Sequence, residues 1–360
     1  MRIRYYDWLE AVSIFLVCTI HMVWLRGTVA STVAITLVSM AVPLFFMVHG
    51  ALLLNKDDSP KKQLKRYGKV LFQVVAWNTI YLGYSVLMGG MDPENVTLGF
   101  LYNYYIRFAN STGINSGHLW FIYALLAVYA FFPILKACKD KNENLLKYIW
   151  ILCFFTSFVR LEAWLWGGYF GERFFGPGNA MEIEDFVRNF SPLGEYAHCI
   201  LFFITGYFLA KWAKAHPLEG KQRIRCMVIS LLVFLAGVGL ILLERYIEFG
   251  QLKYNWKPIT ALYKRVGSLV MAVGIFVLFS QIRFKDGWIY KIIKTISLHT
   301  LDIYYIHVIF AWSFYQWFYR HDLAGVLSNT LRAAVVMALA FLTGQIIRRI
   351  PILKKLLSKI

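Results

Sequence analysis

Apolar stretches of roughly 20 residues, the length a helix needs to cross ~30 Å of hydrocarbon, recur along this chain between short polar segments. Ten such candidates lie near 8–26, 31–54, 68–89, 119–137, 146–165, 194–213, 226–245, 262–282, 297–319 and 327–347. The runs are too long for strands and too apolar for the half-buried helices of a soluble domain. The pattern predicts an all-α fold: a polytopic membrane helix bundle of about ten transmembrane helices, forming a single transmembrane domain over residues 1–360 with no appended soluble domain. No internal repeat, low-complexity tract, inverted repeat or broken span is visible.

Composition agrees, with 59% hydrophobic and 18% aromatic residues, well above the apolar share of ordinary soluble domains. The net charge of +18 would suit a nucleic-acid partner if it were gathered in one place. Instead the Lys and Arg residues sit in alternate loops, so membrane topology accounts for them and nucleic acid is not expected. Basic residues mark the N-terminus (Arg2, Arg4), 55–67, 138–145, 214–225, 283–296 and the tail from Arg348. Both termini are therefore predicted cytoplasmic, in the cell membrane. The opposite loops 90–118 and 166–193 are long and rich in Gly, Asn and Pro, suited to covering an outward cavity. Arg2 and Arg4 precede an apolar run as in a signal peptide, but no convincing cleavage site follows, and the first span is expected to stay as an anchor. Cys18, Cys138, Cys153, Cys199 and Cys226 lack metal or redox spacing and read as small apolar residues.

The polar residues inside these spans carry the candidate chemistry, because ionisable groups in a bilayer face a protein interior or a water-filled path. Glu10 and His21 are eleven positions apart, about three helical turns, so they share one face of span one ~16 Å apart along its axis. His118 and Trp120 open span four on the outer side. His307 falls near the middle of span nine, five residues after Asp302, with Tyr304 and Tyr305 between. His198 and Glu195 near the start of span six, and Arg160 with Glu162 near the end of span five, also fall toward the outer half. His49 lies beside Gly50 toward the cytoplasmic half of span two, where glycine permits close helix approach. Helix packing, interfacial anchoring or capping would explain each of these singly. No phosphate-binding glycine loop, HExxH zinc motif or nucleophile elbow is present, so no metal is expected and a catalytic site would have to be assembled across helices.

Several segments taken together resemble the acyltransferase-3 family of membrane acyltransferases: YYDWLEAVSIFLVCTIH, VPLFFMVHGALLL, LKRYGKVLFQVVAWNTIY, GHLWFIYALLAVYAFFPILK, FFITGYFLAK and SLHTLDIYYIHVIF. Each motif is loose, but their order and spacing run from span one through span nine. The resemblance implies ten spans and transfer of an acyl group, often acetyl, from cytoplasmic acyl-CoA to a hydroxyl of a cell-envelope or extracellular carbohydrate. It implies no permanently bound cofactor; acyl-CoA is the donor substrate, and an envelope glycan or lipid-linked sugar the acceptor. His21 then corresponds to the family's catalytic histidine, with Glu10 and His307 in the same catalytic group and His118, Trp120 and His198 on the acceptor side. His49, Lys65, Arg66 and Lys69 fall on the acyl-CoA side, where cations favour its phosphates.

Two positions depart from the family pattern. Glu10 stands where the family usually has Arg, and a carboxylate repels CoA phosphates instead of pairing with them. His49-Gly50 stands where the second-helix motif usually reads Ser-Gly, so a Glu10–His49 pair could replace an Arg-centred network. With Glu10 in that place, the competing readings are a glycan or lipid transporter and a non-catalytic membrane subunit. A homo-oligomer is compatible with the sequence.

Overall fold

The computed structural model describes residues 3–22, 29–56, 58–105, 116–159, 173, 196–249, 263–314 and 325–357. The described residues are almost entirely helical, with no strand among them. Their helices are α1 (Arg4–Met22), α2 (Val29–Val38), α3 (Ala41–Leu53), α4 (Pro60–Leu87), α5 (Leu98–Tyr105), α6 (Trp120–Lys141) and α7 (Glu143–Phe154). Then follow α8 (Ala197–Ala215), α9 (Gly220–Phe249), α10 (Val266–Gln281), α11 (Trp288–Leu298), α12 (Thr300–Ser313) and α13 (Val326–Arg349).

Among the described residues, five helical segments are long and apolar enough to cross a membrane: Val29–Leu53, Pro60–Leu87, Gly117–Lys141, Gly220–Ile247 and Val326–Arg349. Helices also occupy the other predicted span positions, but α10, for example, is a 16-residue apolar helix. On α9, Ile224, Val228, Leu231, Leu232 and Leu235 are exposed; an apolar surface of that extent suits lipid rather than water. The chain is a membrane helix bundle.

Three expectations change. The second predicted span is interrupted at Ser39–Met40, between α2 and α3, contrary to the expectation of unbroken spans. Pro43 explains the position: it has no N–H for the Ser39 carbonyl, and its ring crowds that carbonyl. Ser39 Oγ turns back to Thr36 O at 2.7 Å and Thr36 Oγ to Thr32 O at 2.9 Å. The basic segment 283–296, expected as a loop, contains most of α11, and the helix of span nine starts at Thr300. The long loop 90–118 contains α5. Arg160, Glu162 and Glu195 lie outside the described residues.

The described chain forms two compact units. The first comprises Met1–Asp57, Ile134–Leu298 and Ala324–Ala333. Within it α3 packs on α8, α9 on α10, and α1 on α2, α3, α10 and α11. Glycines set the first two contacts. A Cβ on Gly50 would overlap the Phe203 carbonyl, and one on Gly206 the Met47 carbonyl. On the α9–α10 contact, a Cβ on Gly274 would stand 2.6 Å from Phe234 N, and one on Gly237 2.6 Å from Met271 N. Small residues let helix backbones approach closely where lipid provides no hydrophobic drive for association. Trp150 Nε1 donates to Thr205 Oγ at 2.8 Å and joins α7 to α8.

The second unit comprises Asp58–Pro133, His299–Leu323 and Ala334–Ile360. Polar bonds dominate here. Asp302, 1% exposed, receives Arg348 Nε at 2.6 Å and Arg348 NH2 at 2.7 Å, and its Oδ2 meets His299 Nδ1 at 2.8 Å. Arg348 also donates to Leu357 O at 2.5 Å, while Gln73 and Trp77 on α4 both donate to Leu356 O at 3.2 Å. These bonds hold the turn Leu353–Leu356 against α4.

Candidate active site

In the first unit, α1 carries two of the predicted residues. Asp7 and Glu10, one helical turn apart, both face α11. Asp7, 1% exposed, accepts from Tyr290 OH at 2.8 Å, and the single hydroxyl proton of Ser297, whose Oγ lies 2.5 Å from Glu10 and 2.9 Å from Asp7, is shared between the two carboxyl groups. Charged acceptors make such bonds strong, so both carboxylates secure α11 to α1. Because α1 is continuous from Arg4 to Met22, Glu10 lies about 16 Å from His21 along the axis and cannot exchange a proton with it directly. His21 is exposed in the last turn of α1. His49, half-buried on α3, sets its Nδ1 2.9 Å from Phe45 O. His198, 3% exposed at the start of α8, has its ring 6.3 Å from Phe202.

The first unit also contains a cleft of about 720 Å³ that the polar pattern of the sequence did not reveal. Tyr5, Tyr6, Asn55, Lys139, Tyr207, Lys211 and Lys214 line it. These residues lie at helix ends adjoining the basic segments, so the cleft opens on the face marked by positive charge. Lys139 pairs with Asp140 at 3.1 Å and Lys211 with Glu143. Burial, followed by the neighbouring Tyr6, pushes the Tyr5 phenol above its ordinary range, leaving it a neutral donor at the rim.

In the second unit the fold brings His118 and His307 together. Their rings meet edge to face with centroids 5.5 Å apart; His118 is 7% exposed and His307 fully buried. His307 Nδ1 lies 2.7 Å from Tyr304 O and 3.2 Å from Ile303 O. Carbonyls only accept, so Nδ1 carries a proton and donates it there. Tyr304 OH donates to His118 O, which ties α12 to the turn Gly117–Leu119. Tyr81 closes the cluster: its ring is 4.8 Å from His118, and its hydroxyl donates to Tyr305 O at 2.8 Å. Trp77 stacks on Tyr305 at 5.1 Å with 2° between planes. Trp120 is half-buried at the start of α6.

The chain belongs to the acyltransferase-3 family. The family model, an acyltransferase domain, matches residues 3–349, nearly the whole chain and both units. No curated protein and no solved structure matches it. The acyltransferase-3 assignment makes a membrane acyltransferase the coarse reading of the chain, in a family whose members usually acetylate carbohydrates.

Of the residues expected near the acyltransferase donor, Arg66 is committed structurally. It bonds Asp58 at 2.5 Å and lies 5.9 Å over the Tyr129 ring. Lys65 is exposed and Lys69 half-buried on α4, with Lys69 within electrostatic reach of Lys65 and Arg348. Among the described residues no group of three or more His, Cys, Asp or Glu could hold a metal. Sequence reasoning passed over Trp77, Tyr81, Tyr290 and Ser297. The first two were readable: Trp77, Asn78, Tyr81, Tyr84 and Ser85 recur at helical spacing on one stripe of α4. Ser297 carried no such signal, because an isolated serine in a basic segment is ordinary.

Proposed function

We propose that the protein is a membrane O-acyltransferase that takes an acyl group, most simply acetyl, from acyl-CoA and places it on a carbohydrate hydroxyl of the cell envelope. The family match over residues 3–349 carries this reading. The donor enters from the basic face, with both termini on the cytoplasmic side. The first unit's cleft supports that direction: Lys214 offers a cation for phosphates, Lys139 and Lys211 add charge shared with Asp140 and Glu143, and Tyr5 and Tyr207 offer aromatic surface for a nucleobase. Glu10 does not belong among the catalytic groups in this reading. Its carboxylate is engaged by Ser297 far from His21, so the family's Arg position has become a helix-docking position.

His21 is the general base. Its neutral imidazole takes the proton from the acceptor hydroxyl as that oxygen attacks the thioester carbonyl carbon. The tetrahedral oxyanion then collapses, the C–S bond breaks, and the same proton passes to the departing thiolate. The products are the acyl ester and free CoA thiol.

The test is release of free CoA from acyl-CoA by the purified protein in lipid, wild type beside His21→Ala, with candidate glycans as acceptors. Loss of turnover by about 100-fold or more in the variant is the expected result for a general base. Equal turnover in the two proteins would remove His21 from the chemistry. Neither turnover nor acyl-CoA binding in wild type would shift the reading to transport or scaffolding.

A further inference from the structure

The basic segment after α10 folds into α11 (Trp288–Leu298), whose three faces have different chemistry. One face is taken by α1: Tyr290 and Ser297 bond Asp7 and Glu10. Immediately before the helix, Arg4 donates to Phe284 O at 2.8 Å and to Asp286 at 2.5 Å, and its guanidinium lies 5.6 Å from the Tyr290 ring. The second face holds Trp288, Ile289 and Ile292, exposed by 72%, 49% and 50%. The third holds Lys291 and Lys294, both exposed, with exposed Lys285 just upstream.

At 100° per residue, the apolar trio and the lysine pair are centred roughly 140° apart about the axis. That division is what an in-plane interfacial helix needs: Trp and Ile at the acyl boundary, Lys among the headgroups. It does not suit a spanning helix, because eleven residues cover only ~16 Å. Water is a poor neighbour for an indole and two isoleucines side by side, and zwitterionic headgroups, whose ammonium groups cancel the phosphate charge, present the lysines with no net negative surface.

We propose that α11 is an in-plane helix that binds anionic phospholipid headgroups of the surrounding bilayer through Lys291 and Lys294 while Trp288, Ile289 and Ile292 enter the acyl boundary. The clamp to Asp7 and Glu10 sets its depth and makes α1, the helix bearing His21, the element that a change in lipid contact reaches first. This inference does not depend on the acyl-transfer reading.

The experiment is backbone hydrogen exchange of residues 288–298 in the full chain, reconstituted in bilayers of zwitterionic lipid alone or mixed with phosphatidylglycerol. Each lysine near an anionic surface contributes about 1 kcal/mol, so with both engaged the anionic lipid is expected to slow exchange by about thirtyfold. A Lys291→Gln, Lys294→Gln variant should lose that lipid dependence and keep the wild-type rate in zwitterionic lipid. Equal wild-type exchange in the two bilayers, or lipid dependence surviving in the variant, would overturn the proposal. Brominated lipid provides an independent check: wild-type fluorescence should be quenched more than that of Trp288→Phe, and an equal loss in both would place Trp288 outside the acyl boundary.

Discussion

The two compact units of this chain both use polar bonds between helices, but only in the first do glycines bring helix backbones into direct contact among the described residues. In the first, glycine removes side chains so that backbones touch, at Gly50 and Gly206 between α3 and α8 and at Gly237 and Gly274 between α9 and α10. In the second, hydroxyl, indole and guanidinium groups find carbonyl or carboxylate partners: Tyr81 on α4 donates to Tyr305 O on α12, Trp77 on α4 to Leu356 O, and Arg348 on α13 to Asp302 on α12. A Cβ at Gly68 or Gly83 on α4 would meet open space. Both devices answer the same problem, since apolar side chains gain little by leaving lipid for one another. They fail differently: steric contact tolerates no added atom, whereas a bonded network loses its members one at a time.

The largest expected effect is therefore Gly206→Val. Its side chain would collide with the Met47 backbone, and no monodisperse protein should elute on size exclusion; Gly83→Ala on α4 should elute normally. If Gly206→Val were tolerated, the close α3–α8 approach would not be the basis of the first unit. Next comes Asp302→Asn, which leaves Arg348 and His299 without their shared carboxylate. A loss of about 3 kcal/mol is expected, at the low end for breaking a buried pair, because Arg348 is 19% exposed. Denaturant unfolding in mixed micelles measures it, and an unchanged midpoint would deny the network its weight. The smallest effect is Tyr81→Phe, which removes only the hydroxyl on Tyr305 O. About 0.6–1 kcal/mol should be lost with little change in yield. A much larger loss would mean that the aromatic cluster behaves as one cooperative body.

The same contrast bears on Glu10. As a departure from a family pattern it looked like a defect in the donor site. In the fold, its nearest described task is structural, shared with Asp7 and directed at α11. A carboxylate one turn from another on the same helix is tolerable only where donors meet both, and here Tyr290 donates to Asp7 while the Ser297 hydroxyl lies nearest Glu10.

Membrane character, the positions of the long apolar helices and the family were legible from the chain because they depend on local quantities: the length of apolar runs, the placement of Lys and Arg between them, and the order of short motifs. His307 could be picked out for the same reason, a polar residue in the middle of an apolar span. What depends on contact was not legible. Nothing in the sequence says that His118 and His307 share an edge-to-face contact, that Arg66 is engaged by Asp58, that a lysine-lined cleft forms where α1, α3 and α8 meet, or that Ser297 reaches Asp7 and Glu10. Those pairings join residues up to hundreds of positions apart, and their partners are chosen by which helix faces come within reach. Local pattern determines where the long apolar helices lie and what they can offer; only packing decides which offer is taken.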